Sequence, residues 1–163
     1  MAKNKEEKTN VMRVLEQKKI AYTPHSYPHE EGIAVDGVTV AQSMGFAPAI
    51  VFKTLVARGA SKQYYVFDVP VAENLDLKKA AKAVGEKSIE MIHQKELLPL
   101  TGYVHGGCSP VGMKKLFPTV FHETAENLET MIVSAGKIGY QVELAPHDLA
   151  ALVRAKFADI IVE

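Results

Sequence analysis

The chain has 163 residues, of which 47% are hydrophobic and 23% are charged, a composition typical of a globular protein that folds without disulfide or metal staples. Nineteen basic and nineteen acidic residues cancel, so binding to nucleic acid would have to depend on local patches rather than on a global positive field. The sequence contains no run of about 18 apolar residues and its charged start, MAKNKEEKTN, lacks an apolar signal segment, so we expect a cytoplasmic protein with no membrane partner.

Helical and strand patterns alternate along the chain without a linker or an internal repeat, which predicts a single domain over residues 1–163. We expect residues 1–8 to be flexible. Thr9 or Asn10 is a suitable N-cap for a first helix that ends near Lys19.

The remaining elements are predicted from turn residues, capping residues and apolar periodicity. The first half of the chain is predicted to form an extended segment at 20–27, a helix capped by Asp36 and ended by Gly45, and strands at 49–57 and 64–69 joined as a hairpin. A helix from Asp76 to Gly85 follows, in which we expect Leu77, Ala80, Ala81 and Val84 to be buried. The second half is predicted to form an extended piece at 88–92, a brief helix that stops at Pro99, strands at 119–122, 131–134 and 140–144, and a last helix opened by Pro146 and Asp148. This order predicts an α/β (mixed α+β) fold with a mixed, barrel-like β-sheet flanked by helices.

The predicted strand AIVFKTLVA, residues 49–57, carries a lysine at its centre although both of its faces are apolar. Lys53 shares a face with Val51 and Leu55. An unpaired ammonium group is costly in such a strand and its pKa would be lowered. Two interpretations remain open. Lys53 reaches water or a buried carboxylate such as Asp68, or it lines a cavity and meets an anionic or carbonyl group of a ligand.

Two turns could bring backbone N–H groups close to a ligand. The segment GYVHGGCSPVG at 102–112 has four glycines and a proline, but it lacks the lysine of a phosphate-binding P-loop. The segment VSAGK at 133–137 forms a second tight turn with a hydroxyl group and a cation.

Together with other blocks, these stretches resemble the YbaK/EbsC family of aminoacyl-tRNA editing proteins, relatives of the editing domain inserted in bacterial prolyl-tRNA synthetase. The matching blocks are HSYPH at 25–29, VFKTL at 51–55, PVAENLDLKKAAKAVG at 70–85, GYVHGGCSPVGMKK at 102–115, VSAGKIG at 133–139 and AKFADI at 155–160. Ordered blocks over nearly the whole chain are far more specific than any one motif.

The resemblance implies a deacylase that removes a wrongly attached amino acid from tRNA, in the best known branch cysteine from the tRNA for proline. In that branch the thiol of the substrate is thought to attack its own ester carbonyl and leave as a cyclic thiolactone. The resemblance implies catalytic roles for Lys53, Thr54, Gly106 and Gly107, and substrate-binding roles for Tyr27, Ser109, Ser134, Gly136 and Gln141. No metal or organic cofactor and no DNA partner is expected, whereas prolyl-tRNA synthetase is a candidate partner.

One departure from the family pattern concerns the amino acid removed. Gln141 stands where the cysteine-editing branch usually has an aspartate, and Ala135 replaces the usual second glycine of the preceding turn. A deacylase for a different amino acid therefore stays open. So does a non-catalytic module of the same fold that binds aminoacyl-tRNA or a nucleotide.

Other candidate constellations have simpler interpretations. Cys108, with His105 three residues before it, has no evident activating base, so we interpret it as a small, mostly buried side chain. His25 and His29 do not have the spacing of a standard zinc site. The lysines of the chain could contact phosphates or simply be solvated; those considered are Lys78, Lys79, Lys82, Lys114 and Lys115.

Overall fold

The computed structural model describes residues 8–163, which form five α-helices and eight β-strands. Except for Lys8, the segment 1–8 that we expected to be flexible lies outside the described residues. The helices are α1 (Asn10–Gln17), α2 (Gly37–Met44), α3 (Leu77–Val84), α4 (Gln94–Thr101) and α5 (Pro146–Val153). The strands are β1 (Thr23–Ser26), β2 (Phe52–Gly59), β3 (Tyr64–Pro70), β4 (Ile89–Met91), β5 (Thr119–His122), β6 (Met131–Ser134), β7 (Tyr140–Leu144) and β8 (Ala155–Ala158).

Capping residues set the ends of three helices, as the sequence predicts. The side chains of Thr9, Asp36 and Asp76 each accept a hydrogen bond from a backbone N–H of the first turn of α1, α2 and α3. Gly45 and Gly85 end α2 and α3 in the left-handed conformation, which a glycine adopts without steric cost.

Three local predictions were wrong, and one strand was not predicted. Helix α4 continues through Pro99 to Thr101, because a proline in so short a helix removes only one intrahelical hydrogen bond, and Glu96 closes a capping box at its start. Leu77 is 41% exposed rather than buried. Strand β2 begins only at Phe52, after a 3₁₀ turn at Pro48–Ile50. Strand β8 was missed, because its parallel partner β5 lies more than 30 residues earlier in the chain.

The strands form two sheets rather than one closed barrel. The larger sheet has the order β4-β2-β3-β5-β8, with β3, β5 and β8 parallel, and the smaller, antiparallel sheet has the order β1-β7-β6. A single parallel bridge between Val51 and Ile132 joins them. The mixed α/β class is therefore confirmed, but the expectation of a barrel-like sheet holds only loosely.

The main core lies between the two sheets. Apolar side chains of the larger sheet, such as Phe52 and Phe121, pack with Val133 and Val142 of the smaller sheet, and α1 and α5 close this core. A second core lies between the larger sheet and α3, where Phe67 and Val69 meet the alanines of the helix. Within residues 8–163, no helix is long and apolar enough to cross a membrane.

Candidate active site

A cavity of about 300 Å³ opens where β2 separates from the smaller sheet. Six of the nine predicted site residues line it: Tyr27, Lys53, Thr54, Gly106, Ser134 and Gln141. These residues come from segments more than 100 positions apart in the chain, and the fold brings them to one place. Most of the remaining wall is apolar, as in many small-molecule sites.

The backbone of β2 explains how Lys53 and Thr54, which point to opposite faces of the strand, reach the same cavity. Strand β4 pairs with β2 only at Ala57–Gly59, so the edge of β2 that faces away from β3 is open beside Thr54. The Gly59 N–H donates to the Gln63 carbonyl and the Val71 N–H donates to the Val51 carbonyl. The backbone N–H and C=O groups of the odd-numbered residues of β2 therefore point towards β3. Because ladder bonds alternate, the N–H and C=O groups of Thr54 face the open side.

Lys53 is half-buried, and no carboxylate oxygen of residues 8–163 lies within ion-pair distance of its ammonium group. Burial lowers the pKa of Lys53, and the negative charge of Glu73 partly opposes this effect. The expected alternative pairing with Asp68 does not occur, because Asp68 lies opposite Thr54 in the ladder and Lys53 lies opposite Val69. Of the two interpretations, the structure favours the lysine that lines a cavity.

Thr54 is held by a carboxyl group behind it. Its hydroxyl donates a 2.5 Å hydrogen bond to Asp68 Oδ1. Asp68 is fully buried, and its other oxygen, Oδ2, has no hydrogen-bond partner among residues 8–163. Burial raises the pKa of Asp68 to about 7, although the bond from Thr54 acts in the opposite direction. A carboxyl group that titrates near neutrality therefore stands one hydrogen bond away from the cavity.

The glycine turn contributes one accessible backbone segment. Gly106 has a φ of +91°, and a Cβ at this position would lie 2.7 Å from the Cβ of Ala34. Its N–H has no hydrogen bond within the described chain, whereas the N–H of Gly107 donates to the Val104 carbonyl. Of the two glycines, only Gly106 therefore presents a free backbone donor.

The smaller sheet contributes Ser134 and Gln141, which face each other across β6 and β7. Both are buried, and Gln141 Oε1 has no hydrogen-bond partner among the described residues. Ser134 Oγ accepts a bond from the Gly136 N–H and so braces the turn that follows β6. Tyr27 is buried beside them, and burial raises its pKa.

Three predicted site residues do not line the cavity. Gly107 packs its backbone against Ile138, where an added Cβ would lie 3.0 Å from the backbone nitrogen. Ser109 is fully buried and accepts a bond from the Val111 N–H. Gly136 has a φ of +92° and packs against Tyr103. Each of these residues shapes a turn beside the cavity.

Several residues that were not predicted from the sequence also belong to the site. Asp36 and His105 are exposed and lie at its rim, and Leu97 of α4 forms part of its apolar wall. Asp68 was considered only as a partner of Lys53. In the register of β2 against β3, Asp68 lies opposite Thr54. This pairing can be predicted from the sequence only if the exact position of the hairpin turn is known.

The structure also places the residues of the alternative constellations. Cys108 is buried in the cavity wall, and burial, assisted by the charge of Asp68, raises its pKa to about 12. A thiol with so high a pKa is a poor nucleophile. His25 Nε2 is hydrogen-bonded to Glu143 Oε1, and His29 is hydrogen-bonded to the Tyr27 carbonyl. Residues 8–163 contain no group of three His, Cys, Asp or Glu side chains that could hold a metal ion.

We expect Gly106→Ala to destabilise the protein more than Gly85→Ala. Both glycines have a positive φ, which costs an alanine about 1 kcal/mol, but an added Cβ at Gly85 meets open space whereas one at Gly106 clashes with Ala34. Urea unfolding of the two variants measures the difference. Equal midpoints would show that the Ala34 segment yields without cost.

Comparisons with known proteins show which family the chain resembles. A family model described as "Aminoacyl-tRNA editing domain" matches residues 34–152. The chain is 46% identical over 161 residues to a protein of Enterococcus faecalis (strain ATCC 700802 / V583) provisionally named Cys-tRNA(Pro)/Cys-tRNA(Cys) deacylase EbsC, covering 98% of each chain.

Two solved structures are similar over nearly their whole length. One, provisionally described as a trans-editing enzyme for prolyl tRNA synthetase, aligns with 94% of this chain and 95% of its own at a TM-score of 0.79 and 26% identity. The other, a hypothetical protein, aligns with 93% of this chain and 99% of its own at a TM-score of 0.82. At 18% identity it shows the fold alone.

Proposed function

Because the chain belongs to the aminoacyl-tRNA editing domain family, we propose that it is a hydrolase that removes a wrongly attached amino acid from tRNA. The observation that carries the proposal is the convergence of Lys53, Thr54, Gly106 and Gln141 on one cavity. Its volume of about 300 Å³ suits the aminoacyl end of a tRNA and excludes the folded body of the tRNA.

The substrate we propose is the tRNA for proline charged with cysteine, in line with the name of the Enterococcus relative. A cysteinyl ester carries its own nucleophile, and confinement beside its ester carbonyl would raise the effective concentration of the thiol. The product would be a cyclic thiolactone, and the site would need no nucleophile from the protein. The high pKa of Cys108 agrees with this requirement.

The proposal gives roles to several of the predicted site residues. Lys53, with no ion-pair partner within residues 8–163, is free to bind the ester end or the terminal phosphate of the tRNA through charge-assisted hydrogen bonds. The free N–H of Gly106 would stabilise the developing oxyanion. Tyr27, Ser134 and Gln141 would enclose the amino acid. Ser109, Gly107 and Gly136 would act indirectly, through the turns they form.

We also propose that the editing unit extends beyond the matched range 34–152 to almost the whole chain. Helix α1 buries Val11 and Leu15 in the main core, and β8 completes the larger sheet beside β5. Removal of either element would expose apolar core surface, and the walls of the cavity pack against this core. We place the enzyme in the cytoplasm, where aminoacyl-tRNA is made and used.

The net charge of the protein bears on how it binds tRNA. With no net positive charge, the protein lacks the long-range field that would hold a tRNA strongly at physiological salt. Among residues 8–163, two lysines are also paired with carboxylates, Lys8 with Glu16 and Lys79 with Asp159. We therefore propose that prolyl-tRNA synthetase supplies part of the tRNA affinity.

A deacylation panel tests the proposal. The tRNA for proline is charged with cysteine, alanine or proline, incubated with the protein, and the remaining ester is measured over time. We expect fast release of cysteine, because only its thiol can close a ring on the ester carbonyl, and little release of proline. Release of another amino acid would change the substrate. Binding without release from any charged tRNA would select the non-catalytic module.

A further inference from the structure

The buried carboxyl of Asp68 is not explained by the stability of the fold. Burial of an ionisable group is costly unless it is fully hydrogen-bonded, yet Asp68 Oδ2 has no partner among residues 8–163. Within residues 8–163, the carboxyl group bonds only to Thr54, which lines the proposed active-site cavity. An unsatisfied buried polar group beside a cavity points to a functional role.

The direction of the Thr54–Asp68 hydrogen bond determines what Thr54 offers to a ligand. A hydroxyl group has one hydrogen to donate and two lone pairs that accept. While Asp68 is ionised, the hydrogen of Thr54 is held by Asp68 Oδ1, so Thr54 Oγ1 can only accept from the cavity. When Asp68 is protonated, its own hydrogen can be donated to Thr54, and the threonine can turn its hydrogen towards the ligand.

We infer that Asp68 is a positioning residue that makes Thr54 Oγ1 the proton acceptor for the group that attacks the ester. This inference rests on the proposed deacylase function. The hydrogen of the attacking thiol, or of an attacking water, passes to Thr54 Oγ1 while the hydroxyl hydrogen of Thr54 passes to Asp68 Oδ1. The sulfur or oxygen forms its bond to the ester carbonyl carbon, and the bond from that carbon to the ribose oxygen breaks.

The protons of this step balance. The ribose oxygen leaves as a hydroxyl group after taking a proton from water, and protonated Asp68 returns its proton to the solvent through Thr54 once the product has left. A base is most effective when its pKa is near the working pH, and the pKa of Asp68, about 7, meets this condition.

The surroundings of Asp68 contain few groups that could interfere with its titration. Thr54 faces it from β2, and the neighbouring position on β5 is the apolar Phe121. Cys108, from the turn before β5, is the titratable group whose own pKa responds to the charge of Asp68. Lys53 lies on the opposite face of β2, where Glu73 influences it.

The test is the dependence of kcat on pH, from about 5.5 to 8.5, for the wild type and Asp68→Asn with cysteine-charged tRNA for proline. The wild-type kcat should rise with pH through a pKa near 7. Asp68→Asn should lower the plateau about 100-fold and remove the step near pH 7, since an amide cannot take up the proton; the ionisation of the substrate thiol at higher pH remains in both proteins. Asp159→Asn makes the same chemical change at a partly exposed carboxyl bound to Lys79, at the end of β8 and three strands away from β2 in the larger sheet, and should leave the profile unchanged.

Two threonine variants keep the inference testable if Asp68→Asn folds poorly. Thr54→Ser retains the hydroxyl group and should keep the profile, whereas Thr54→Val should resemble Asp68→Asn. The double variant Thr54→Val/Asp68→Asn should be no slower than either single variant, because the two residues act on the same proton path. A wild type without deacylase activity would overturn the proposed function. An active wild type whose step near pH 7 survives in Asp68→Asn would overturn only the role of Asp68.

Discussion

Replacing Lys53 by alanine is expected to lower kcat/KM for deacylation by about 100- to 1,000-fold while leaving the fold intact. The ammonium group has no ion-pair partner within residues 8–163, so its removal breaks no ion pair among these residues. A substrate whose negative charge is bound by Lys53 would lose a charge-assisted contact in a partly desolvated site, which accounts for a loss of this size. Steady-state kinetics with cysteine-charged tRNA measure the change.

Two further lysine variants separate the charge of Lys53 from its aliphatic stem. Lys53→Met keeps the stem against the cavity wall and should be as inactive as Lys53→Ala. Lys78→Ala removes an exposed lysine of α3 and should retain full activity. Circular dichroism and urea unfolding check that each variant is folded. A fully active Lys53→Ala protein would overturn the assignment of the site.

Asp68→Asn is expected to change the pH dependence of stability. Burial raises the pKa of Asp68 from about 3.8 to about 7, so between these values the folded protein holds a proton that the unfolded chain has released. The contribution of Asp68 to stability is therefore fully present below about pH 4 and is lost as the pH rises through about 7. At about 1.4 kcal/mol for each pKa unit, the wild type loses about 4 kcal/mol that an asparagine, which does not titrate, would not lose.

The measurement is the free energy of unfolding in urea at pH values from about 4 to 8, compared between the wild type and Asp68→Asn. The difference should shift in favour of the variant by about 4 kcal/mol over this range, whatever its absolute stability. Asp159→Asn is the control. Lys79 lowers the pKa of Asp159, so the contribution of Asp159 to stability is lost as the pH falls and not as it rises. A constant difference between wild type and Asp68→Asn would mean that Asp68 titrates normally.

The departure at Gln141 has a structural context that the sequence did not reveal. The family resemblance places an aspartate at this position in the cysteine-editing branch, and the amide here carries no charge. The described chain nevertheless has a buried carboxyl group, Asp68, one hydrogen bond behind the same cavity. The site therefore has a carboxyl group close to it even though position 141 is an amide. The deacylation panel can be run on variants of Gln141 and of Asp68 alike.

Short-range chemistry made much of the fold predictable. The caps Thr9, Asp36 and Asp76 and the glycines that end α2 and α3 act within one or two helical turns, so the sequence alone determines where these helices begin and end. The hairpin of β2 and β3 is equally local, since its turn lies between two β-rich runs. The glycine turn and the cavity lysine were identified because their residue types are unusual for their surroundings.

What the tertiary structure decided involves partners far apart in the chain. Strand β8 exists only through its pairing with β5, and the division into two sheets follows from which strand edges meet, neither of which is written in a local pattern. The placement of Lys53 and Thr54 at one cavity depends on the open edge of β2, and the bond from Thr54 to Asp68 depends on the register of the hairpin. A shift of one residue would turn Asp68 to the other face, because side chains alternate along a strand. The sequence thus determined which groups are available for chemistry, and long-range pairing determined which of them meet.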